Sequence, residues 1–264
     1  MTSTSDPARQ PVPLRLHVVE DGPSDAPVLV LGPSLGTDTG MFDAQVAALS
    51  DRHRVIRYDL RGHGGSPVVP GPCTVADLAA DVLRTLDELG VDRFSYAGVS
   101  LGGAIGLQLA VTVPARLERL VVMASAAKFP DPASWGERAA RVRAEGTEWL
   151  VPSRIGAWVT PGFAEAHPEE TERLLTMLRS TSREGYAACC ESLMTFDVVD
   201  RLPGVSAPAL VIAGADDPAT PPDTVKVIAD GILGARFVVV PSASHLVSAE
   251  QPDTVTAEIR AFLG

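Results

Sequence analysis

Short apolar runs alternate with stretches of helical spacing along most of the chain. Leu14–Val19 and Val28–Leu31 are β-rich runs with Gly, Pro and Asp turns between them, and Val55–Tyr58 is a third strand candidate. Met41–Leu49 has the apolar spacing of a helix. Thr74, with Asp77 three residues on, predicts the N-cap of a helix over Val75–Leu89 that stops at Gly90. Phe94–Ala97 predicts a strand, Leu101–Thr112 a helix, and Leu117–Met123 a strand with the near-continuous apolar content of a buried parallel sheet. Strand and helix thus alternate from Val28 to Met123, the rhythm of a parallel sheet with helices on both faces.

The rhythm breaks at Ala126. From there to Phe196 no convincing strand appears; helical stretches cover Ser134–Leu150, Pro168–Ser180 and Glu184–Thr195, and Trp135, Trp149 and Trp158 all fall inside. Alternation resumes with strand Ala209–Ala213, helix Thr224–Ala229, strand Arg236–Val240 and helix Asp253–Phe262. The expectation is one α/β core in two parts, 1–125 and 197–264, interrupted by a helical cap at 126–196. A strandless insertion of about 70 residues is typically a lid or cap.

Composition narrows the function classes. Asp plus Glu number 33 against 22 Lys plus Arg, a net charge of −11 that speaks against nucleic acid and anionic membranes as partners. The uncharged stretch Tyr96 to Arg116 holds Gly, Ser, Gln and Thr and reads as a buried strand and helix rather than a membrane span. Cys189 and Cys190 are adjacent and Cys73 stands apart, so no disulfide framework is expected. Met1 to Arg15 lacks the apolar core of a signal peptide. These features predict a reduced, cytoplasmic protein.

The strongest chemical signal is Gly98-Val99-Ser100-Leu101-Gly102, after an apolar strand and opening a helix. A Ser there sits on a sharp turn with its hydroxyl raised above the sheet, and side chains two before and two after would collide across the turn. Ser100 is therefore the candidate nucleophile, and it needs a base and an orienting acid. Of the five His, His17 and His53 read as structural or solvated and His167 as a helix-start residue. His245 lies in a loop after the last predicted strand, on the sheet edge that carries Ser100, and is the candidate base. Asp216 and Asp217 both follow strand Ala209–Ala213; either is placed to orient the base, with Asp217 preferred. The backbone N–H groups of Leu101 and of Leu35, in the loop Gly32-Pro33-Ser34-Leu35-Gly36, are the candidate oxyanion hole, with Ser34 either a third donor or a support of the turn. Asp59 to Ser66 reads as a structural Gly-rich turn. No P-loop, G-x-G-x-x-G or metal-ligand spacing occurs, so no cofactor or metal is expected.

The chain resembles the α/β-hydrolase superfamily from Leu14 to Phe262, in which the chain order is also Ser, Asp, His. Within it the chain is similar to bacterial 3-oxoadipate enol-lactonases. The segments that carry the likeness are Ser34-Leu35-Gly36-Thr37, Arg57 to Gly64, Gly98 to Gly103, Pro132-Ala133-Ser134-Trp135, Glu184-Gly185-Tyr186, and Gly214 to Pro222. The resemblance implies an α/β-hydrolase fold with a helical cap, and hydrolysis of a small carboxylate-bearing enol-lactone through an acyl-enzyme. It also implies a cap cation for the substrate carboxylate, with Arg138, Arg141 and Arg154 as candidates, and Trp135 at the pocket. No fused decarboxylase domain is expected after Gly264. Alternatives are a broader carboxylesterase or perhydrolase, and a non-catalytic ligand-binding protein of the same fold. Oligomeric state stays open.

Overall fold

A computed structural model describes residues 12–264; residues 1–11, within the stretch where no signal peptide is expected, lie outside them. The apolar runs become seven strands: β1 Val18–Asp21, β2 Val28–Gly32, β3 Arg54–Tyr58, β4 Phe94–Val99, β5 Leu117–Met123, β6 Ala209–Gly214 and β7 Arg236–Val240. They form one sheet in the order β1-β3-β2-β4-β5-β6-β7. All neighbours run parallel except β1, which pairs antiparallel with β3. Every residue of β4 and β6 is buried, so both faces of the sheet are covered there, in keeping with their mainly apolar residues.

The topology decides where a ligand can enter. The chain leaves β2 for β3 on one side, then crosses back to β4 on the other side of β2. The crevice between the carboxyl ends of β2 and β4, where Gly32 pairs with Gly98, is the switch point of the sheet.

The core helices are α1 Asp43–Leu49, α2 Val75–Glu88 and α3 Leu101–Thr112. Thr74 and Asp77 close the expected capping box on α2. The uncharged stretch from Tyr96 folds as buried strand and buried helix, and no helix among the described residues is long and apolar enough to cross a membrane. Between β5 and β6, in the stretch expected to form a cap, lie α4 Pro132–Glu145, α5 Pro161–Ala166, α6 Pro168–Ser180 and α7 Arg183–Met194. After β6 come α8 Pro222–Gly231, α9 Val247–Glu250 and α10 Pro252–Leu263.

Three local expectations need correction. The first strand starts at Val18 rather than Leu14, because the amides of Leu14, Leu16 and His17 donate to Asp81, Thr85 and Ser66 side chains instead of to a neighbouring strand. The helix expected over Ser134–Leu150 ends at Glu145, where Gly146 turns the chain at φ +86°, and a 3₁₀ turn over Glu148–Ser153 follows. Met41–Leu49 is likewise divided, into a 3₁₀ turn at Thr39–Phe42 and α1.

One buried ion pair anchors α2 to the turn after β3. Arg61 and Asp81 make two hydrogen bonds, with their side chains 4% and 0% exposed. Removing one partner strands a charge in the interior. Asp81→Ala is expected to lower unfolding free energy by about 3–5 kcal/mol in urea titrations, and Arg61→Met/Asp81→Leu to recover most of it.

Candidate active site

Ser100 sits between β4 and α3 at φ 57° and ψ −116°, a conformation that costs a non-glycine residue about 1–3 kcal/mol. Its neighbours enforce this. A Cβ on Gly98 would lie 2.4 Å from the Gly102 carbonyl, and one on Gly102 would lie 2.1 Å from Gly32 O. Only bare backbone lets α3 begin this close to the end of β2, and that contact brings the loop after β2 beside Ser100. Ser100 N–H donates to Met123 O at 2.9 Å, and Ser125 Oγ donates to Ser100 O at 2.7 Å.

The same loop presents a main-chain donor. Ser34 N–H points at Met41 Sδ, Gly36 N–H donates to His63 Nε2 at 3.1 Å, and Thr37 bonds back to Ser34 O through both its amide and its hydroxyl. The Leu35 amide has no acceptor among the described residues. Leu101 opens α3, so its amide lacks an intrahelical acceptor as well. Ser34 closes the turn through its carbonyl and also lines the cavity at Ser100.

His63 belongs to the Gly-rich turn and holds this loop. Its Nδ1–H donates to Arg61 O at 2.8 Å and its Nε2 accepts from Gly36. Burial pushes the imidazole down to about 4 from its ordinary 6.5. Below 6.5 the unfolded chain takes up a proton that the folded chain refuses, so stability falls as pH drops from 6.5 to 4. His63→Gln is expected to abolish on the order of 3 kcal/mol of that loss, read from urea unfolding at the two pH values.

The loops after β6 and β7 bring an acid and an imidazole together. His245 Nδ1 lies 2.8 Å from Asp217 Oδ2, with Asp217 buried at the end of β6. The carboxylate also accepts from Thr220 Oγ1 at 2.6 Å and from the amides of Ala219 and Thr220. Burial alone would raise the Asp217 carboxyl; the His245 charge and these hydrogen bonds outweigh it and hold it below its usual value. Asp216 is exposed, and its amide donates to Ala243 O. Thr220 escaped the sequence reading. The Asx turn that Asp217 makes onto the backbone is the signal that could have found it.

A cavity of about 320 Å³ opens between the sheet edge and the cap. Ser34, Leu35, Ser100 and His245 reach it from the core, and Trp135, Arg138, Arg154, Trp158 and Tyr186 from the cap. Ser100 and His245 face the same space without a direct hydrogen bond, a contact that often tightens only around a substrate. Arg138 lies over the Trp135 ring at 4.6 Å, and Arg154 over Trp158 at 5.7 Å. Neither guanidinium has a carboxylate partner among the described residues. Arg154 Nε is buried without any hydrogen bond. Burial first, and then the like charge of Arg138, pull Arg154 below its ordinary value, with Tyr186 acting against them. Arg141, the third arginine expected at the substrate carboxylate, does not reach the cavity. It is exposed, pairs with Glu145 at 2.9 Å and covers Trp149.

A hydroxyl, an imidazole and a carboxylate arranged this way can deliver a nucleophilic oxygen to a carbonyl. The free amides beside Ser100 can receive the negative charge that results. Among the described residues no group of three or more His, Cys, Asp or Glu is placed to hold a metal ion.

Known proteins resemble the chain in both sequence and fold. Residues 27–252 match a model of the alpha/beta hydrolase fold family. The chain is similar to 3-oxoadipate enol-lactonase 2 of Acinetobacter baylyi, 38% identical over 94% of this chain and 92% of that one. The enol-lactonase of Burkholderia xenovorans LB400 superposes with a TM-score of 0.91 at 39% identity, covering 94% of this chain and 96% of that one. A thermophilic esterase of Thermogutta terrifontis, solved with malate bound, superposes with a TM-score of 0.89 at 33% identity, covering 94% and 92%.

Proposed function

The chain belongs to the alpha/beta hydrolase fold family, and on that premise we propose that it is a serine hydrolase that opens 3-oxoadipate enol-lactone to 3-oxoadipate. Ser100 Oγ attacks the ring carbonyl while His245 Nε2 takes its proton. Asp217 holds the imidazole through Nδ1–H and stabilises the imidazolium. The tetrahedral oxyanion is received by the Leu35 and Leu101 amides. Collapse breaks the acyl–oxygen bond and expels an enolate, which leaves more readily than a simple alkoxide and takes the proton held by the His245 imidazolium on the way to the 3-oxo acid, leaving His245 neutral. The acyl group stays on Ser100 until water, deprotonated by His245, releases it and restores the serine.

The observation that carries this reading is the pair Arg138 and Arg154, cations without acid partners in the cavity that holds Ser100 and His245. A carboxylate on the substrate supplies the missing partner, and guanidinium suits it because its forked donors match two oxygens. Most other cap arginines are already committed: Arg143 to Glu184 and Glu191, Arg173 to Glu170, Arg179 to Glu172. A cytoplasmic setting belongs to the same reading, supported by three unpaired, buried cysteines.

The test compares kcat/KM for the enol-lactone with that for uncharged p-nitrophenyl acetate. Wild type is expected to prefer the lactone by orders of magnitude. Arg154→Ala is expected to lose about 10–100-fold on the lactone, mostly in KM, and to leave the acetate nearly unchanged, since one charged hydrogen bond contributes about 1.5–3 kcal/mol. Equal losses on both substrates would remove Arg154 from carboxylate binding. Preference for the acetate in wild type would favour a broader carboxylesterase or perhydrolase.

A further inference from the structure

We propose that Glu250 is a positioning residue that locks the His245 loop to the cap turn carrying Arg154 and Trp158, so that base and anion clamp move as one unit. The proposal rests on the reading of His245 as the base.

Glu250 ends α9 and is 4% exposed. Its carboxylate has no cationic partner among the described residues, an arrangement that is costly unless hydrogen bonds satisfy the oxygens. They do, and they come from two separate parts of the protein. Oε2 accepts the Ser244 amide at 2.7 Å, one residue before His245. Oε1 accepts the Thr160 amide at 2.8 Å and, at short range, the Thr160 hydroxyl.

Around this carboxylate the two segments are stitched directly. Ser244 Oγ donates to Ala157 O at 2.7 Å, His245 N–H to Ala157 O at 3.3 Å, and Leu246 N–H to Trp158 O at 2.8 Å. The Ala157 and Trp158 amides in turn bond back to Arg154 O. A continuous run of hydrogen bonds therefore links the backbone of His245 to that of Arg154, and Glu250 is the side chain that spans it. Thr160 also caps α5 by accepting from Phe163 N–H, so a purely structural service at that helix start is the competing reading.

The experiment separates the two. Glu250→Gln keeps the shape but sets an NH₂ against one of the two backbone N–H donors, so one side of the lock opens. Displacing a catalytic group by about 1 Å can cost ~100-fold. Glu250→Gln is expected to lower kcat about 10–100-fold on both p-nitrophenyl acetate and the enol-lactone, and to raise KM for the lactone alone. Thr160→Val removes the hydroxyl link together with the Phe163 cap of α5; it is expected to shift the same quantities less, and it carries the test, read against its own Tm, if Glu250→Gln does not fold. Ile259→Val, a truncation in the core of α10, is the control for lost stability and is expected to keep wild-type kcat at 25 °C. Wild-type kcat on both substrates in folded Glu250→Gln, or an equal loss of kcat in Ile259→Val at a similar drop in Tm, would overturn the proposal. A wild type inert towards both substrates would instead overturn the hydrolase reading, and this one with it.

Discussion

Ser100→Ala is expected to bring kcat down by roughly 10⁶-fold on both the lactone and p-nitrophenyl acetate, the scale set by removing a triad nucleophile. Nothing else in the cavity replaces the hydroxyl at the elbow. Alanine keeps the Cβ and the backbone at φ 57°, so the turn keeps its shape and the fold its stability. The Leu35 and Leu101 amides remain, and with them a residual 10³–10⁴-fold advantage over water. Three readings check this together: steady-state kcat, the acyl-enzyme burst with p-nitrophenyl acetate, and urea unfolding. Turnover and burst should vanish while unfolding moves by less than about 1 kcal/mol. A burst that survives would place the nucleophile elsewhere.

The second large effect is expected from Asp217→Asn, a loss of about 10⁴ in kcat, set against Asp216→Asn with almost none. The mechanism is tautomeric. Oδ1 of Asp217 accepts the Ala219 and Thr220 amides, and Oδ2 accepts from Thr220 Oγ1 and faces His245 Nδ1. In the Asn variant the single oxygen satisfies the two backbone donors, and the NH₂ turns to His245. Nδ1 must then accept, so the proton sits on Nε2, where it blocks removal of the serine proton. In wild type burial alone would raise the Asp217 carboxyl, but His245 and the hydrogen bonds hold it below its ordinary value, so Asp217 is charged in the neutral range. Asp216 is exposed and makes none of these contacts. Equal losses in the two variants would mean that the loop, rather than the Asp217 carboxylate, matters.

Certain parts of this site could be read without a structure, for local reasons. The elbow is a steric rule spanning five residues, so Gly98 and Gly102 announce Ser100 wherever they follow a buried strand. The capping box of α2 and the bounds of α3, β5, α6 and β7 also follow from neighbours in the chain. Where residues expected to join an element found partners far away, the reading failed. Leu14 to His17 lost their strand to side chains of α2 and the Gly-rich turn, and that competition is invisible in a β-rich run.

By itself, the sequence determined the alternating α/β rhythm, the strandless insertion, and the placing of Ser100 and His245 on loops at one sheet edge. Each rests on periodicity or on clashes between residues a few positions apart. Tertiary structure alone separates Asp216, which faces solvent, from Asp217, which faces His245. It also sorted Arg138 and Arg154 from Arg141, and turned Glu250, an unremarked acid before a Pro-started helix, into a bridge between two segments. The physical reason is the same in each case. The meaning of a charged side chain depends on which partners and how much water surround it, and those are set by chain segments tens of residues away.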